Sequence, residues 1–418
     1  MHAESADSPV VYDPQTAGVP LIDVGRQHRP LEKDLNAAVL RVLSSGRFVL
    51  GPDCQELEKA IAAYCRVPHA IACASGSDAI LLALMALCVG PGDQVILPSY
   101  TFFATASAVA RLGAKPVFVD IDPATYNIEP ALAAAAITAE TKAIMPVHLF
   151  GQCADMDSLS TIAKRHGLFV IEDAAQAIGA EYKQRPAGSI GDVGCFSFYP
   201  TKNLGGPGDG GMLTTTSDDV AARLRLLHVH GMQPRYYHQV IGINSRLDSL
   251  QAAVLNVKLP HLDRWTAERQ LHARRYHELF ESHGLSDVLG LPVEAPDRRH
   301  VWNQYVVRVP DGRRDALREH LAKHKVGSEI YYPVPLHLQQ CFAYLGYGPG
   351  SLPHTEQAAR ETMALPIFPE LTFVEQQFVV STVASFFGVG KREQRIPAPK
   401  FLKHAHPATA ESAKRQRG

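Results

Sequence analysis

The sequence predicts an α/β fold, in which a mostly parallel, doubly wound sheet is followed by a smaller C-terminal α+β domain. Between about residues 68 and 216, short β-rich runs alternate with helical patterns. Several of these runs are continuously apolar, as expected for strands that helices cover on both faces. After Asp248 the alternation gives way to longer helical patterns. These three observations predict two packed domains.

The strands and helices of the large domain follow from local patterns. Helices are predicted over residues 77–88, closed by Gly90, and over residues 156–166, closed by Gly167. The predicted strands are residues 71–74, 94–97, 116–119, 143–147, 168–172, 195–198 and 212–215.

The C-terminal part has its own pattern. Residues 248–281 predict one or two helices with a break at Pro260, and a capping box at Thr372 and Glu375 begins the last helix. Residues 301–309 and 327–332 predict strands, and residues 313–324 predict a helix. The expected domains are a flexible N-terminus (1–18), a large α/β domain (19–260), a small α+β domain (261–390) and a basic disordered tail (391–418).

Composition excludes several function classes. The chain has 418 residues, of which 46% are hydrophobic, so a packed core is expected. With 41 basic and 42 acidic residues, it lacks the basic excess of a dedicated nucleic-acid binder. Its start does not resemble a signal peptide, and its longest apolar run, residues 79–89, is too short to cross a bilayer. We expect a cytoplasmic protein with no membrane or nucleic-acid partner.

The run Ala-Ser-Gly-Ser-Asp at residues 74–78 follows a predicted strand and begins a helix. Backbone N–H groups at a helix start, together with serine hydroxyls, form a natural phosphate site. Ser75 or Ser77 would also serve as an ordinary helix cap, and the motif alone leaves both interpretations open.

Two further residues have chemistry that a catalytic site needs. Asp173 ends an apolar strand, where its carboxylate could keep a heteroaromatic nitrogen protonated or simply cap the next helix. Lys202 lies 29 positions later in a loop rich in Gly and Pro, where a partly desolvated amine could form a Schiff base. A solvated surface lysine is the alternative for Lys202.

Other chemistries are not supported. The run of residues 206–211 fits G-x-G-x-x-G, but a strand rather than a helix follows it, so no dinucleotide site is expected. The histidines lack metal-ligand spacing, the seven cysteines include no C-x-x-C pair, and no G-x-S-x-G elbow of a serine hydrolase occurs. No metal is expected.

In combination, these motifs have a specific order along the chain. The segments ASGSDAI, IEDAAQAIGAEY, GCFSFYPTKNLGGPGDGG and GINSRLDSLQAAVL carry it. The chain resembles the pyridoxal-phosphate-dependent enzymes of fold type I, and within them the DegT/StrS-type nucleotide-sugar aminotransferases, from about residue 19 to residue 387.

The resemblance implies pyridoxal 5′-phosphate as cofactor and assigns a role to each matching residue. Lys202 matches the lysine that bonds to the cofactor and carries the proton, and Asp173 matches the carboxylate paired with the pyridinium nitrogen. Gln176 matches the side chain near the ring hydroxyl, and Phe102 falls where the family stacks an aromatic on the ring face. Gly76, Ser77 and Ser197 match the phosphate cradle.

The resemblance also implies a homodimer with shared active sites. Asn244 matches an asparagine that reaches the phosphate of the neighbouring subunit. Three further positions match substrate contacts, namely Arg246, Tyr332 and His337.

The implied reaction transfers an amino group from an amino acid, with glutamate favoured, to a keto-sugar nucleotide linked to dTDP or UDP. Residues 235–248 are similar to the branch that acts on 3-oxo sugars, so amination at C3 is favoured over C4. His28 and Pro207 depart from the usual pattern, which holds a tyrosine and a larger side chain there. A dehydratase of the same family would have histidine in place of Lys202, and a non-catalytic regulator would not need an intact Lys202, Asp173 and Gln176. A binding module that only stores the cofactor would need a defective donor site.

Overall fold

The computed structural model describes residues 13–389. The predicted basic tail at 391–418 and the first twelve residues of the predicted flexible N-terminus lie outside the described residues. At the end of that N-terminal segment, Pro14–Ala17 form a helical turn. Asp13 caps this turn, and Lys325 donates from Nζ to the carbonyl of Thr16 at 2.9 Å.

The α-helices are α1 (Pro14–Ala17), α2 (Val24–His28), α3 (Glu32–Ser45), α4 (Pro52–Tyr64), α5 (Gly76–Ala86), α6 (Phe103–Arg111), α7 (Pro130–Ala135), α8 (Met156–His166), α9 (Asp218–Leu227), α10 (Ser249–Lys258), α11 (Leu262–Ser282), α12 (Arg314–Lys323), α13 (Pro353–Glu361) and α14 (Phe373–Phe387). The strands are β1 (His69–Cys73), β2 (Gln94–Pro98), β3 (Lys115–Val119), β4 (Thr141–Ile144), β5 (Phe169–Asp173), β6 (Glu181–Tyr182), β7 (Arg185–Pro186), β8 (Val193–Ser197), β9 (Gly211–Thr215), β10 (Arg298–Arg299), β11 (Tyr305–Arg308) and β12 (Thr362–Leu365). No helix among residues 13–389 is long and apolar enough to span a membrane.

Seven strands form the main sheet in the order β1-β9-β8-β5-β4-β2-β3. All of its strands run parallel except β9, which pairs antiparallel with both of its neighbours. All seven predicted strands are present, with ends that differ by no more than three residues. The predicted mostly parallel sheet is confirmed.

Helices cover both faces of this sheet, because successive side chains of each strand point to opposite faces. Ile71, Val95 and Ile171 face a cluster with α5, α6 and α9. Ala72 and Ile96 face a second cluster with α4, α8 and α10. The sheet is therefore doubly wound, as its continuously apolar strands predict.

The C-terminal part packs α11, α12 and α14 with the antiparallel pair β11 and β12 around a separate apolar cluster. The break near Pro260 is confirmed, since a 3₁₀ turn at Leu259–His261 separates α10 from α11. The capping box is also confirmed, as Thr372 accepts from the N–H of Glu375 and the Glu375 side chain from that of Thr372. The domain boundary at residue 260 stays a prediction.

Two predicted strands differ from the structure. Residues 327–332 form only an isolated bridge, Glu329 with Ala364, because the Tyr331 carbonyl accepts from the Tyr100 hydroxyl instead of pairing with a strand. Residues 301–309 become a strand only at β11, because buried side chains bind the carbonyls of 301–303. In both places a side chain has taken the backbone group that a strand would use.

Candidate active site

The carboxyl ends of the parallel strands meet at one edge of the main sheet, and most of the predicted site residues lie there. β5 ends at Asp173 and β8 ends at Ser197. The chain after β1 begins α5 at Gly76, and the chain after β2 begins α6 just past Phe102. Open α/β sheets bind ligands at this edge.

Asp173 is a buried carboxylate held in one orientation. Its Oδ2 accepts a hydrogen bond from Thr105 Oγ1 at 2.7 Å, and its Oδ1 accepts from the backbone N–H of Ala175 at 3.2 Å. Burial raises the pKa of Asp173, although these hydrogen bonds and the charge of Lys202 oppose the rise. The carboxylate can therefore lower its free energy further by pairing with a cation in the site.

Lys202 lies in the loop after β8, where its backbone N–H donates to the Tyr199 carbonyl at 2.9 Å. Burial lowers the pKa of its amine to about 8, while the negative charge of Asp173 opposes this shift. A lysine with a pKa near neutrality is partly uncharged at physiological pH and therefore nucleophilic. The structure thus brings together Asp173 and Lys202, the two residues whose side chains the sequence marks as candidates for catalysis.

The lowered pKa of Lys202 predicts that, in the cofactor-free protein, its amine reacts at a lower pH than an ordinary lysine does. Only the neutral amine attacks an acylating reagent, so the labelling rate of Lys202 should rise with pH to a midpoint near its pKa of about 8. Peptide mass spectrometry after pulses of an N-hydroxysuccinimide ester at graded pH measures this rate. Lys183 is the internal control, because its hydrogen bond to Asp157 raises its pKa. Equal midpoints for the two lysines would contradict the prediction.

The start of α5 approaches the end of β8 very closely. A Cβ added to Gly76 would lie 2.7 Å from Ser197 Cβ, so this position has room for glycine only. Ser75 caps the helix by accepting from the N–H of Asp78 at 3.1 Å. The N–H groups of Gly76 and Ser77 precede the first helical hydrogen bond and remain at the helix start, where an anion is stabilised.

Replacing Gly76 by alanine should destabilise the protein, although alanine normally favours a helix over glycine. The added methyl group has to displace Ser197, at a cost of about 1–3 kcal/mol. Thermal unfolding and titration with pyridoxal phosphate measure the losses of stability and of cofactor affinity. Gly90→Ala is the matched control, because nothing lies within 4 Å of its added Cβ. Similar behaviour of the two variants would refute the close approach.

Gln176 and Tyr332 connect this edge to the C-terminal part. Gln176 Nε2 donates to the Tyr332 hydroxyl at 3.2 Å, and Gln176 Oε1 accepts from the N–H of Phe150 at 2.7 Å. The Tyr332 ring centroid lies 6.0 Å from that of Phe102, whose side chain is half exposed. Burial and the charge of Asp173 raise the pKa of Tyr332, so its hydroxyl stays protonated. Phe102 thus presents an open ring face beside the polar groups.

Three predicted residues are not gathered with this group. Asn244 is exposed and forms an isolated bridge with Val229, and Arg246 is half-buried near His228. His337 is only 1% exposed, and its ring nitrogens lie 2.7 Å from Ser99 Oγ and 3.3 Å from Glu356 Oε1. Both ring nitrogens thus have partners within the chain, and the substrate contact expected for His337 stays a prediction.

Two important features escaped the sequence reasoning. Thr105 orients Asp173 from α6, and only its spacing of four residues from Thr101, whose hydroxyl lies 3.1 Å away, hints at a polar pair. Glu172 is fully buried on the opposite face of β5 and accepts from His148 Nε2 at 2.8 Å. Burial opposes its ionisation, but the bonds from His148 and from backbone N–H groups outweigh burial and lower its pKa. An acid within an apolar strand was the available signal.

The DegT/DnrJ/EryC1/StrS aminotransferase family model matches residues 30–384, which is most of the chain. The chain belongs to this family. It is 52% identical to the "Pleiotropic regulatory protein" of Geobacillus stearothermophilus over 88% of this chain and 98% of that one. It is 45% identical to the "dTDP-3-amino-3,4,6-trideoxy-alpha-D-glucose transaminase" of Streptomyces venezuelae over 88% and 96%.

A solved structure of NtdA from Bacillus subtilis with bound cofactor PMP superposes with a TM-score of 0.82. It is 32% identical, and the match covers 88% of this chain and 85% of that one. As a member of the DegT/DnrJ/EryC1/StrS family, the chain is an aminotransferase that depends on pyridoxal phosphate. The site fits this cofactor, since it offers an amine, a buried carboxylate, an exposed aromatic face and a glycine-lined helix start.

Proposed function

We propose that this aminotransferase transfers an amino group from an amino acid to a 3-oxo hexose linked to dTDP or UDP. Glutamate is the donor that we favour. The observation that carries the proposal is the pair of Lys202 and Asp173 in a chain 45% identical to a dTDP-3-amino sugar transaminase. A 4-oxo sugar nucleotide is the alternative acceptor. The product would be an amino sugar for polysaccharide or related biosynthesis.

Pyridoxal phosphate, when bound, supplies an electron-withdrawing ring that stabilises negative charge at the carbon next to the nitrogen. We assign its covalent attachment to Lys202, whose amine afterwards takes the proton from the donor carbon and delivers it. Asp173 would hold a proton on the ring nitrogen by its charge. Gln176 would bind near the ring hydroxyl, and Phe102 would offer its ring to one face of the cofactor.

The phosphate would lie at the start of α5. Gly76 and Ser77 offer backbone N–H groups there, and the hydroxyls of Ser77 and Ser197 add donors. Ser197 Oγ accepts from the N–H of Tyr199 at 3.3 Å, which leaves its own O–H to donate. This placement orients the ring against Lys202, so that binding energy serves positioning.

We further propose a homodimer in which Asn244 completes the phosphate site of the neighbouring subunit. Exposed apolar side chains near Asn244 support this, since Ile241 is 93% exposed and Tyr236 and Tyr237 are also exposed. Arg246 and Tyr332 are the proposed substrate contacts. Sedimentation at graded protein concentrations tests the dimer. A monomer with full activity would refute it.

The absorption spectrum of the purified protein with pyridoxal phosphate, before and after glutamate, tests the donor reaction. The visible band of the bound cofactor should bleach when glutamate is added. Matched 3-oxo and 4-oxo hexoses, each linked to dTDP and to UDP, then restore the band only where they accept the amino group. If the band stays bleached with every one of these acceptors, a sugar substrate is refuted.

A regulatory role is the second candidate, because the relative at 52% identity is named a regulatory protein. The same spectra separate the two. A regulator that only binds the cofactor would keep its band when glutamate is added, whereas an aminotransferase of this kind would lose it.

A further inference from the structure

Lys258 is a lysine that the proposed chemistry does not use, yet it is completely buried at the end of α10. Its Nζ donates to the Gly205 carbonyl at 2.5 Å and lies 3.2 Å from His28 Nε2. In the part of the chain that the structure describes, no carboxylate forms an ion pair with this amine within 4.0 Å. Burying an ammonium group without a paired carboxylate is costly. We therefore ask what the hydrogen bond from Lys258 to the Gly205 carbonyl contributes to the protein.

Gly205 belongs to the same tight loop as Lys202, which we call the lysine loop (residues 199–206). The N–H of Gly206 donates to the Phe198 carbonyl at 2.8 Å and closes the loop. A Cβ on Gly205 would lie 2.3 Å from the Pro200 carbonyl oxygen, so the two sides of the loop nearly touch. A displacement of Gly205 would therefore also shift the segment that carries Lys202.

The other side of the lysine loop is also anchored by buried polar groups. Asn203 Nδ2 donates to the Val301 carbonyl at 2.8 Å, and Asn203 Oδ1 accepts from Asn303 Nδ2 at 2.8 Å. Lys202 thus precedes one anchored residue, Asn203, and lies three positions before the other, Gly205. Among residues 13–389, Lys258 supplies the only side-chain hydrogen bond to the Gly205 carbonyl.

We propose that Lys258 is a positioning residue, whose bond to the Gly205 carbonyl holds the lysine loop and so fixes the place of Lys202. His28 orients the Lys258 amine from α2 and completes this support. The inference rests on the proposed role of Lys202. It explains why a cation is retained where an apolar side chain would pack at lower cost.

The test compares Lys258→Met with Asn256→Leu in the full-length protein. Asn256 is a matched control, because it also lies on α10 and donates to a backbone carbonyl, that of Asp53 at 3.0 Å. Without cofactor, hydrogen–deuterium exchange in the lysine loop should speed up by about tenfold or more in Lys258→Met. The same loop should exchange at the wild-type rate in Asn256→Leu.

Kinetics supply the second readout. For Lys258→Met we expect kcat to fall by about tenfold while KM for the donor changes by less than about twofold, since orientation rather than binding is lost. Lys258→Arg retains the charge and the donors and should recover both loop protection and kcat. Should Lys258→Met fail to fold, His28→Phe is the second variant. It removes the histidine partner of the Lys258 amine and should raise hydrogen–deuterium exchange in the lysine loop but not elsewhere.

Wild-type loop exchange in Lys258→Met would overturn the inference, and so would faster exchange throughout α10 with no selective effect on the loop. The exchange measurement uses neither cofactor nor substrate. The exchange result would therefore stand even if the proposed function failed. A loop that exchanges at the wild-type rate together with a low kcat would mean that Lys258 does not act by holding the lysine loop.

Discussion

Lys202→Ala should abolish transamination and the covalent attachment of pyridoxal phosphate, while the fold remains intact. The variant lacks both the nucleophile and the group that carries the proton, so kcat should fall by at least about 10³-fold. The fold should survive because the lysine loop is held by Gly205 and Asn203, not by the Lys202 side chain. Removing an amine whose burial lowers its pKa also removes an unfavourable desolvation.

The visible absorption spectrum, a turnover assay and thermal unfolding together measure these outcomes. Lys183→Ala is the control, because this lysine is exposed and pairs with Asp157 at 2.8 Å, away from the site. It should keep the wild-type spectrum and rate. Turnover by Lys202→Ala above about 10⁻³ of the wild-type rate would refute the assignment of Lys202.

The sheet was predictable because its signals are local and repeated. Continuously apolar runs such as that of β5 mark strands covered on both faces, and Pro260 breaks the helical pattern where the structure has its 3₁₀ turn. The carboxyl ends of parallel strands share one edge, and the resemblance carried by the order of the motifs assigned Asp173 and Lys202 to one site there. The individual ends of strands depended on neighbours distant in sequence.

What escaped prediction depends on single long-range contacts. A short strand was expected at residues 327–332, but the Tyr100 hydroxyl binds the Tyr331 carbonyl from 231 positions away. Thr105 reaches Asp173, and Lys258 reaches Gly205, across similarly unrelated segments. Patterns along one segment carry no information on which distant polar atom will meet it.

The chemistry of the site divides in the same way. From residue types alone, Asp173 and Lys202 each had an ordinary alternative, a helix cap and a surface lysine. In the structure Asp173 is buried, and Lys202 is only partly exposed and interacts with its charge, which disfavours an ordinary surface lysine. His337 illustrates the opposite case, since its matching position does not reveal that Ser99 and Glu356 occupy both ring nitrogens.

Asp173→Asn should lower kcat by about 10³-fold or more, because the neutral amide cannot keep a proton on the cofactor ring nitrogen. The amide has the shape of the carboxylate. Its oxygen can accept from the Ala175 N–H while its NH2 group donates to Thr105 Oγ1, so the site geometry should persist. Loss of the negative charge should also move the pKa of Lys202 further below about 8, since Asp173 is the group that raises it. The pH-dependent labelling of Lys202 measures this downward shift directly.

Stability separates a functional carboxylate from a structural one. Burial raises the pKa of Asp173 above its unfolded value, so its ionisation costs stability as pH rises through that range. Asparagine carries no such cost, and Asp173→Asn should unfold at pH 7 no more easily than wild type. Glu172 gives the contrast: its hydrogen bonds lower its pKa, so Glu172→Gln should lose stability. If Asp173→Asn were instead destabilised with kcat unchanged, Asp173 would be a structural cap, and the proposed pairing with the ring nitrogen would be wrong.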